Sequence, residues 1–144
     1  MIAVDTNILV YAHRQDMPWS KQARACVARL AESDSSWAIP WPCIHEFLGI
    51  VTHPKIFPIP TPLIHALTQI EIWQESSSLQ LIAEAAGYWD ELKHALESGR
   101  ITGPAIHDAK IFAICRSHGV RELWSADRDF SRFAGLRIVN PLIR

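Results

Sequence analysis

The amino-acid sequence predicts an α/β fold, one domain over residues 1–144 with a central parallel sheet and helices on both of its faces. The strand-like segments are apolar without alternation, which indicates strands buried on both sides. They alternate with segments of helical periodicity, the pattern of βαβ units. A chain of 144 residues suits a single core, and no internal repeat or linker divides it.

The first forty residues give a strand, two helical segments and a second strand. Ile2–Val4 and Ile8–Tyr11 are apolar without alternation, which suits a strand buried on both faces, followed by a turn into a helix. Apolar residues then recur at helical spacing over Ser20–Leu30, with Ser20 as the expected N-cap. "SSWAIP" reads as a short strand.

The middle of the chain is divided by prolines. Apolar spacing predicts a helix over Pro42–Val51, and the four prolines of "HPKIFPIPTP" then exclude regular helix. Thr61 is the expected cap of the following helix, with Pro62 in its first turn. "SLQLIA" is the next strand candidate.

The last third continues the alternation. "EAAGYWDELKHALESG" predicts a helix ending at Gly99, and a second helix is expected from about Ala105 to His118, stopped by Gly119. "ELWSAD" and "LRIVNP" are the final strand candidates.

Composition excludes several classes of protein. No apolar stretch reaches the ~18 residues of a membrane helix, and no basic, cleavable leader opens the chain. Three widely spaced cysteines without a CxxC pair indicate reduced thiols: Cys26, Cys43 and Cys115. We therefore expect a soluble, unprocessed cytoplasmic protein.

Four carboxylates are placed to meet at one edge of the sheet. Asp5 ends the first strand, Asp127 follows "LWSA", Asp108 opens a helix, and Glu46 lies in an otherwise apolar helix face. Ligands of open parallel sheets bind beyond the carboxyl ends of the strands. Each residue also has a structural reading: Asp5 as an N-cap, Asp108 as a helix-dipole partner, Asp127 as a turn residue, Glu46 as a side chain reaching water.

Carboxylates brought together raise one another's pKa unless a cation compensates them. The histidines and cysteines do not have the spacing of zinc ligands, which argues against a zinc site. Oxygen ligands suit Mg²⁺ or Mn²⁺. Such sites activate water for phosphoryl transfer, so a phosphodiester is the expected substrate.

Four segments resemble, in order, the acidic motifs of the PIN-domain ribonucleases, and in particular the VapC-type toxins of type II toxin–antitoxin systems. They are "AVDTNILVYA", "HEFL", "IHDAKIFAICRSHG" and "LWSADRDFSRFAGLRIVNPL". The resemblance implies a Mg²⁺- or Mn²⁺-dependent endoribonuclease that hydrolyses RNA, a homodimer, and inhibition by a cognate antitoxin protein.

The resemblance also implies roles for individual residues. Asp5, Glu46, Asp108 and Asp127 match the catalytic quartet, of which Asp5, Asp108 and Asp127 would bind the metal and Glu46 would orient or deprotonate water. Four further residues match supporting positions: Thr6, Asn7, Ser125 and Asp129. The chain departs from common relatives with Gly-Pro before the Asp108 helix and with Ser in "SAD".

Charge and aromatic residues suggest further contacts. Residues 1–99 carry a net charge of −5 and residues 100–144 one of +4. Arginines of the basic part are candidates to hold RNA phosphates: Arg100, Arg116, Arg128 and Arg132. Trp37 and Trp41 are candidates for a dimer or antitoxin contact, and His45 and His107 are interpreted as neighbours of the site.

Two other functions stay open at this point. One is an aspartyl phosphatase, which usually needs a second Asp two residues after the first, where this chain has Asn7. The other is a degenerate module that binds RNA or a protein without catalysis.

Overall fold

The structure, a computed structural model, describes residues 1–143. A five-stranded, all-parallel sheet lies at its centre, with the strand order β3-β2-β1-β4-β5. The strands are β1 (Ile2–Val4), β2 (Trp37–Pro40), β3 (Leu79–Ile82), β4 (Glu122–Trp124) and β5 (Arg137–Val139). The predicted α/β fold with a parallel sheet is confirmed.

Within residues 1–143, six α-helices connect and cover the strands. They are α1 (Thr6–His13), α2 (Ser20–Glu32), α3 (Trp41–Val51), α4 (Leu63–Gln74), α5 (Tyr88–Gly99) and α6 (Ile106–Ser117). Each predicted helix is present with ends shifted by at most a few residues. Ile8–Tyr11, which was predicted together with the first strand, lies in α1 instead. Short 3₁₀ turns precede α6 (Gly103–Ala105) and follow β4 (Arg128–Arg132).

The order of the strands assigns the helices to two layers. The chain moves outward from β1 through β2 to β3, then returns to β4 on the other side of β1. Because parallel crossovers are right-handed, the helices before and after this reversal cover opposite faces. In agreement, α1 contacts both α2 and α3, α3 contacts α4, and α5 packs on α6.

The core is built from the strands and the inner faces of these helices. β2 is buried along its whole length, as expected for a strand between two helical layers. Trp37, Phe47 and Phe130 are among the largest fully buried side chains. Trp37 donates its indole N–H to Ser76 Oγ at 3.1 Å, so its assignment to a dimer or antitoxin contact was wrong. Trp41 remains 38% exposed.

Two predicted helix caps are wrong. Ser20 is the first residue of α2, and the cap position is held by Trp19 in the left-handed conformation, with φ of 69°. Pro62 occupies the cap position of α4, because the Thr61 hydroxyl is drawn to His13 Nε2 at 3.1 Å. At α4, a tertiary contact overrides the local preference.

The order in which the strands are added reverses between β1 and β4, and this switch point creates the functional edge. Loops leaving these two neighbouring strands turn to opposite faces, which opens a crevice at the carboxyl ends. Asp5 follows β1, and Ser125 to Asp127 follow β4. The sheet therefore places both predicted acidic positions at one edge.

Candidate metal-dependent active site

Asp5 is buried at the carboxyl end of β1 and is held by several donors. Its backbone N–H donates to the Trp124 carbonyl at 2.9 Å, which fixes it beside β4. Oδ1 accepts from the Thr6 N–H at 2.8 Å, and Oδ2 accepts from Ser125 Oγ at 2.7 Å. Asp5 is thus the N-cap of α1, as its structural reading suggested, while its carboxylate also faces the β4 loop.

Burial raises the pKa of Asp5 to about 6, and the negative charge of Glu46 adds to the rise. The hydrogen bonds from Ser125 and Thr6 oppose it by stabilising the carboxylate. A third donor is the buried Cys43 thiol, whose Sγ lies 3.6 Å from Oδ1. Burial and the Asp5 charge raise the pKa of that thiol well above its usual value, so Cys43 acts as a neutral donor.

Asn7 and Ser125 join Asp5 to the loop after β4. Asn7 donates through Nδ2 to Ser125 Oγ at 3.3 Å and accepts at Oδ1 from the Ala126 N–H at 3.1 Å. Ser125 Oγ accepts from the Asp127 N–H at 3.0 Å. These polar side chains therefore fix the loop that carries Asp127, while Thr6 contributes its backbone N–H to Asp5.

Three carboxylates come together beside this network. Oxygen atoms of Asp108, Asp127 and Asp129 lie within 4.8 Å of one another. Asp127 Oδ1 also accepts from the Asp129 N–H at 2.8 Å, so the turn geometry sets the spacing of the pair. Asp5, predicted as a metal ligand, is not a member of this group, and Asp129, predicted only as supporting, is.

The negative charge of the three carboxylates indicates the kind of cation that they can bind. Partial burial raises the pKa of Asp108, and the charge of Asp127 raises it further. Arg132 Nη2 lies 3.4 Å from Asp108 Oδ2 and partly offsets this repulsion. An oxygen-only group of this spacing with excess negative charge fits a hard divalent cation better than a thiophilic one.

Glu46 completes the acidic edge from α3. Its Oε2 lies 2.7 Å from Nε2 of His107, the residue before Asp108, and its side chain is 39% exposed. The contact between His107 and Glu46 was not predicted from the sequence. The position of His107 directly before Asp108 was the only signal for it. The Cys43 donor was also missed, and its only signal was the spacing of one helical turn before Glu46.

The candidate RNA-binding arginines differ in their surroundings. Arg116 is engaged with Glu91 at 3.5 Å and donates to the Gly135 carbonyl at 2.7 Å. Arg100 and Arg128 are exposed, and Arg128 directly follows Asp127. Arg132 is already paired with Asp108. None of these contacts by itself identifies a ligand.

A parallel sheet with carboxylates grouped at its switch point is typical of hydrolases that act on phosphate esters through acidic metal sites. A PIN domain family model matches residues 2–136 of the chain. Ribonuclease VapC48 of Mycobacterium tuberculosis is 30% identical over 95% of this chain and 94% of its own length. VapC ribonuclease Mb2897 of Mycobacterium bovis is also 30% identical, over 99% and 96%. The chain belongs to the PIN domain family and, within it, to the VapC ribonucleases.

Solved structures share the fold. VapC20 of Mycobacterium tuberculosis, described as a toxin that cleaves the sarcin–ricin loop, superposes with a TM-score of 0.69 at 15% identity, covering 94% of this chain and 97% of its own. A chain of the DNA-bound VapBC2 complex of Rickettsia felis gives 0.66 at 23% identity, with coverage of 96% and 98%. Among residues 1–143, no helix is long and apolar enough to cross a membrane.

Proposed function

We propose that this protein is a Mg²⁺- or Mn²⁺-dependent endoribonuclease that acts as the toxin of a toxin–antitoxin pair. The observation that carries the proposal is the group formed by Asp108, Asp127 and Asp129 at the switch point of a VapC-type sheet, with the buried Asp5 beside it. The relatives named as VapC ribonucleases support the same activity.

The residues divide the work at the site. Asp108 and Asp127 would bind the cation. Asp129, which lies in the same turn as Asp127, would offer a further ligand oxygen, and Asp5 would contact the cation directly or through water. When bound, a divalent cation lowers the pKa of a coordinated water and neutralises charge on the phosphate. Glu46 would orient or deprotonate the attacking water, whose oxygen would bond to phosphorus as one ester P–O bond breaks. The proton that this water loses balances the proton that the leaving oxygen takes up.

The RNA must approach a negatively charged edge, so cations are needed beside it. Arg128 and Arg100 are exposed and are the better candidates for phosphate contacts, since Arg116 is engaged elsewhere. Once a cation neutralises the carboxylates, the Arg132 side chain would leave Asp108 and bind an RNA phosphate instead. Such contacts give an affinity that falls as salt rises.

An antitoxin and a second copy of the chain are the proposed protein partners. The solved VapBC2 complex supports the first. Exposed large apolar side chains are candidates for protein contacts in general. Several lie in the proline-rich segment and in α4: Ile56, Ile59, Leu63, Ile64 and Leu67. The buried, free cysteines support a reducing, cytoplasmic location.

The test is to incubate the purified protein with mixed cellular RNA and Mg²⁺, with EDTA as the control. The wild type should cleave RNA only with the cation, and Asp108→Asn should lose at least ~100-fold of that activity because a ligand oxygen is removed. Asp34→Asn, which changes an exposed carboxylate outside the site, is the matched control. Hydrolysis of a phosphate monoester alone would indicate a phosphatase, and RNA binding without cleavage would indicate a degenerate module.

A further inference from the structure

His107 and Glu46 connect two helices across the acidic edge. Nε2 of His107 on α6 lies 2.7 Å from Oε2 of Glu46 on α3. His107 precedes Asp108 of the carboxylate trio, and Glu46 is close enough to Asp5 for its charge to raise the pKa of that residue. The contact therefore joins the Asp5 side of the edge to the Asp108 side.

This contact contributes little to the stability of the fold. The side chains of His107 and Glu46 are 46% and 39% exposed, and pairs exposed to this extent contribute little to stability. Its main consequence is conformational, because a glutamate side chain has several rotatable bonds and a partly exposed one samples many rotamers. A hydrogen bond to one oxygen restricts that freedom.

We infer that His107 is a positioning residue for Glu46. Its Nε2–H donates to Oε2, and no hydrogen bond from the rest of residues 1–143 reaches Oε1. That oxygen is free to accept from a water molecule. The inference deepens the proposed function and rests on it, since it places His107 behind the residue that would orient the attacking water.

The assignment needs no change in the protonation of His107. Both the imidazolium and the neutral ring with its proton on Nε2 donate at this atom. It also differs from a direct role, in which His107 would contact the phosphate itself. A direct role would change substrate binding, whereas positioning acts only through Glu46.

A double-mutant cycle separates these roles. His107→Ala should lower kcat for Mg²⁺-dependent RNA cleavage by about 10- to 100-fold, the usual effect of removing a residue that orients a site ligand, with little change in KM. His107→Gln, whose amide can still donate, should recover part of the rate. In a Glu46→Gln background, His107→Ala should cost much less. His65→Ala, which removes an exposed histidine on α4, is the control.

Two kinetic results would overturn the inference: an equal loss in both backgrounds, or a loss confined to KM. A structural readout is independent of activity. Crystal structures without RNA should show Glu46 held by His107 in the wild type and displaced or in several rotamers in His107→Ala. An unmoved Glu46 would also refute positioning.

The two readouts keep the inference separate from the proposed function. A wild type that cleaves no RNA with Mg²⁺ would overturn the function, while the crystal structures would still decide whether His107 fixes Glu46. Cleavage that is insensitive to His107→Ala would leave the function intact and reject the role of His107.

Discussion

Asp5 combines two roles in one side chain. Its oxygens cap the first helix and accept from Ser125, and the same carboxylate lies at the acidic edge. Burial makes ionisation of a carboxylate unfavourable, and the hydrogen bonds from Ser125 and Thr6 offset only part of that free energy. The pKa of Asp5 therefore stays raised, at about 6. Asp5 is therefore retained at the expense of stability near neutral pH.

The pKa of Asp5 predicts how stability depends on pH in the metal-free protein. Because the folded-state pKa of about 6 exceeds the ordinary value of 3.8, the folded protein binds more protons between those values. The free energy of unfolding contributed by Asp5 then falls as pH rises from about 4 to 6, by about 3 kcal/mol in total. Chemical denaturation in EDTA at several pH values measures it.

Asp5→Asn is the variant that isolates this effect. It should remove the decline between about pH 4 and 6, so that the difference in stability between variant and wild type moves in favour of the variant as pH rises. The same variant should lose RNA cleavage at every pH. A constant difference in stability across this interval would contradict the assignment of the raised pKa to Asp5.

At the scale of elements, periodicity predicted the helices and strands well because their apolar faces are local properties of the sequence. The cap predicted for α4 was wrong because the Thr61 hydroxyl contacts His13, which lies 48 positions away, and the cap position of α2 is held by Trp19 instead of Ser20. The order of the strands and the inclusion of Asp129 in the carboxylate trio also depend on long-range pairing. No local pattern carries that information.

Arg14, at the end of α1, holds the proline-rich segment between α3 and α4 in place through hydrogen bonds and a cation–π contact. The Arg14 side chain is 11% exposed, donates to the Ile59 carbonyl at 2.8 Å and to Thr61 Oγ1 at 3.3 Å, and lies 4.0 Å from the centre of the Phe57 ring. A segment without regular hydrogen bonding depends on such contacts for its position.

Arg14→Ala should destabilise the fold by about 2–3 kcal/mol, since charge-assisted hydrogen bonds and a cation–π contact are lost together. Arg14→Lys should recover little, because lysine cannot form the same planar set of contacts. Lys21→Ala is the control, since it removes an exposed cation on α2 and should have little effect. Urea denaturation measures the loss, and proteolysis within residues 53–60 should accelerate only in the Arg14 variants.

For the whole molecule, the position of β1 explains why the site forms where it does. β1 lies in the middle of the sheet, between β2 and β4, and the order in which the strands are added reverses beside it. The acidic loops after β1 and β4 are therefore drawn together by the rigid sheet, and α6 brings Asp108 to the same edge. The repulsion this creates makes the metal-free protein less stable than its packing alone would allow.

Metal binding should consequently stabilise the entire fold. A cation that binds only the folded state at about a hundred times its Kd adds about 2.7 kcal/mol, which corresponds to a rise of several degrees in Tm. Thermal unfolding in EDTA and in Mg²⁺ or Mn²⁺ measures it. Asp108→Asn should match or exceed the wild type in EDTA, since like-charge repulsion is relieved, and should lose the rise with metal. Equal rises in both proteins would place the cation elsewhere.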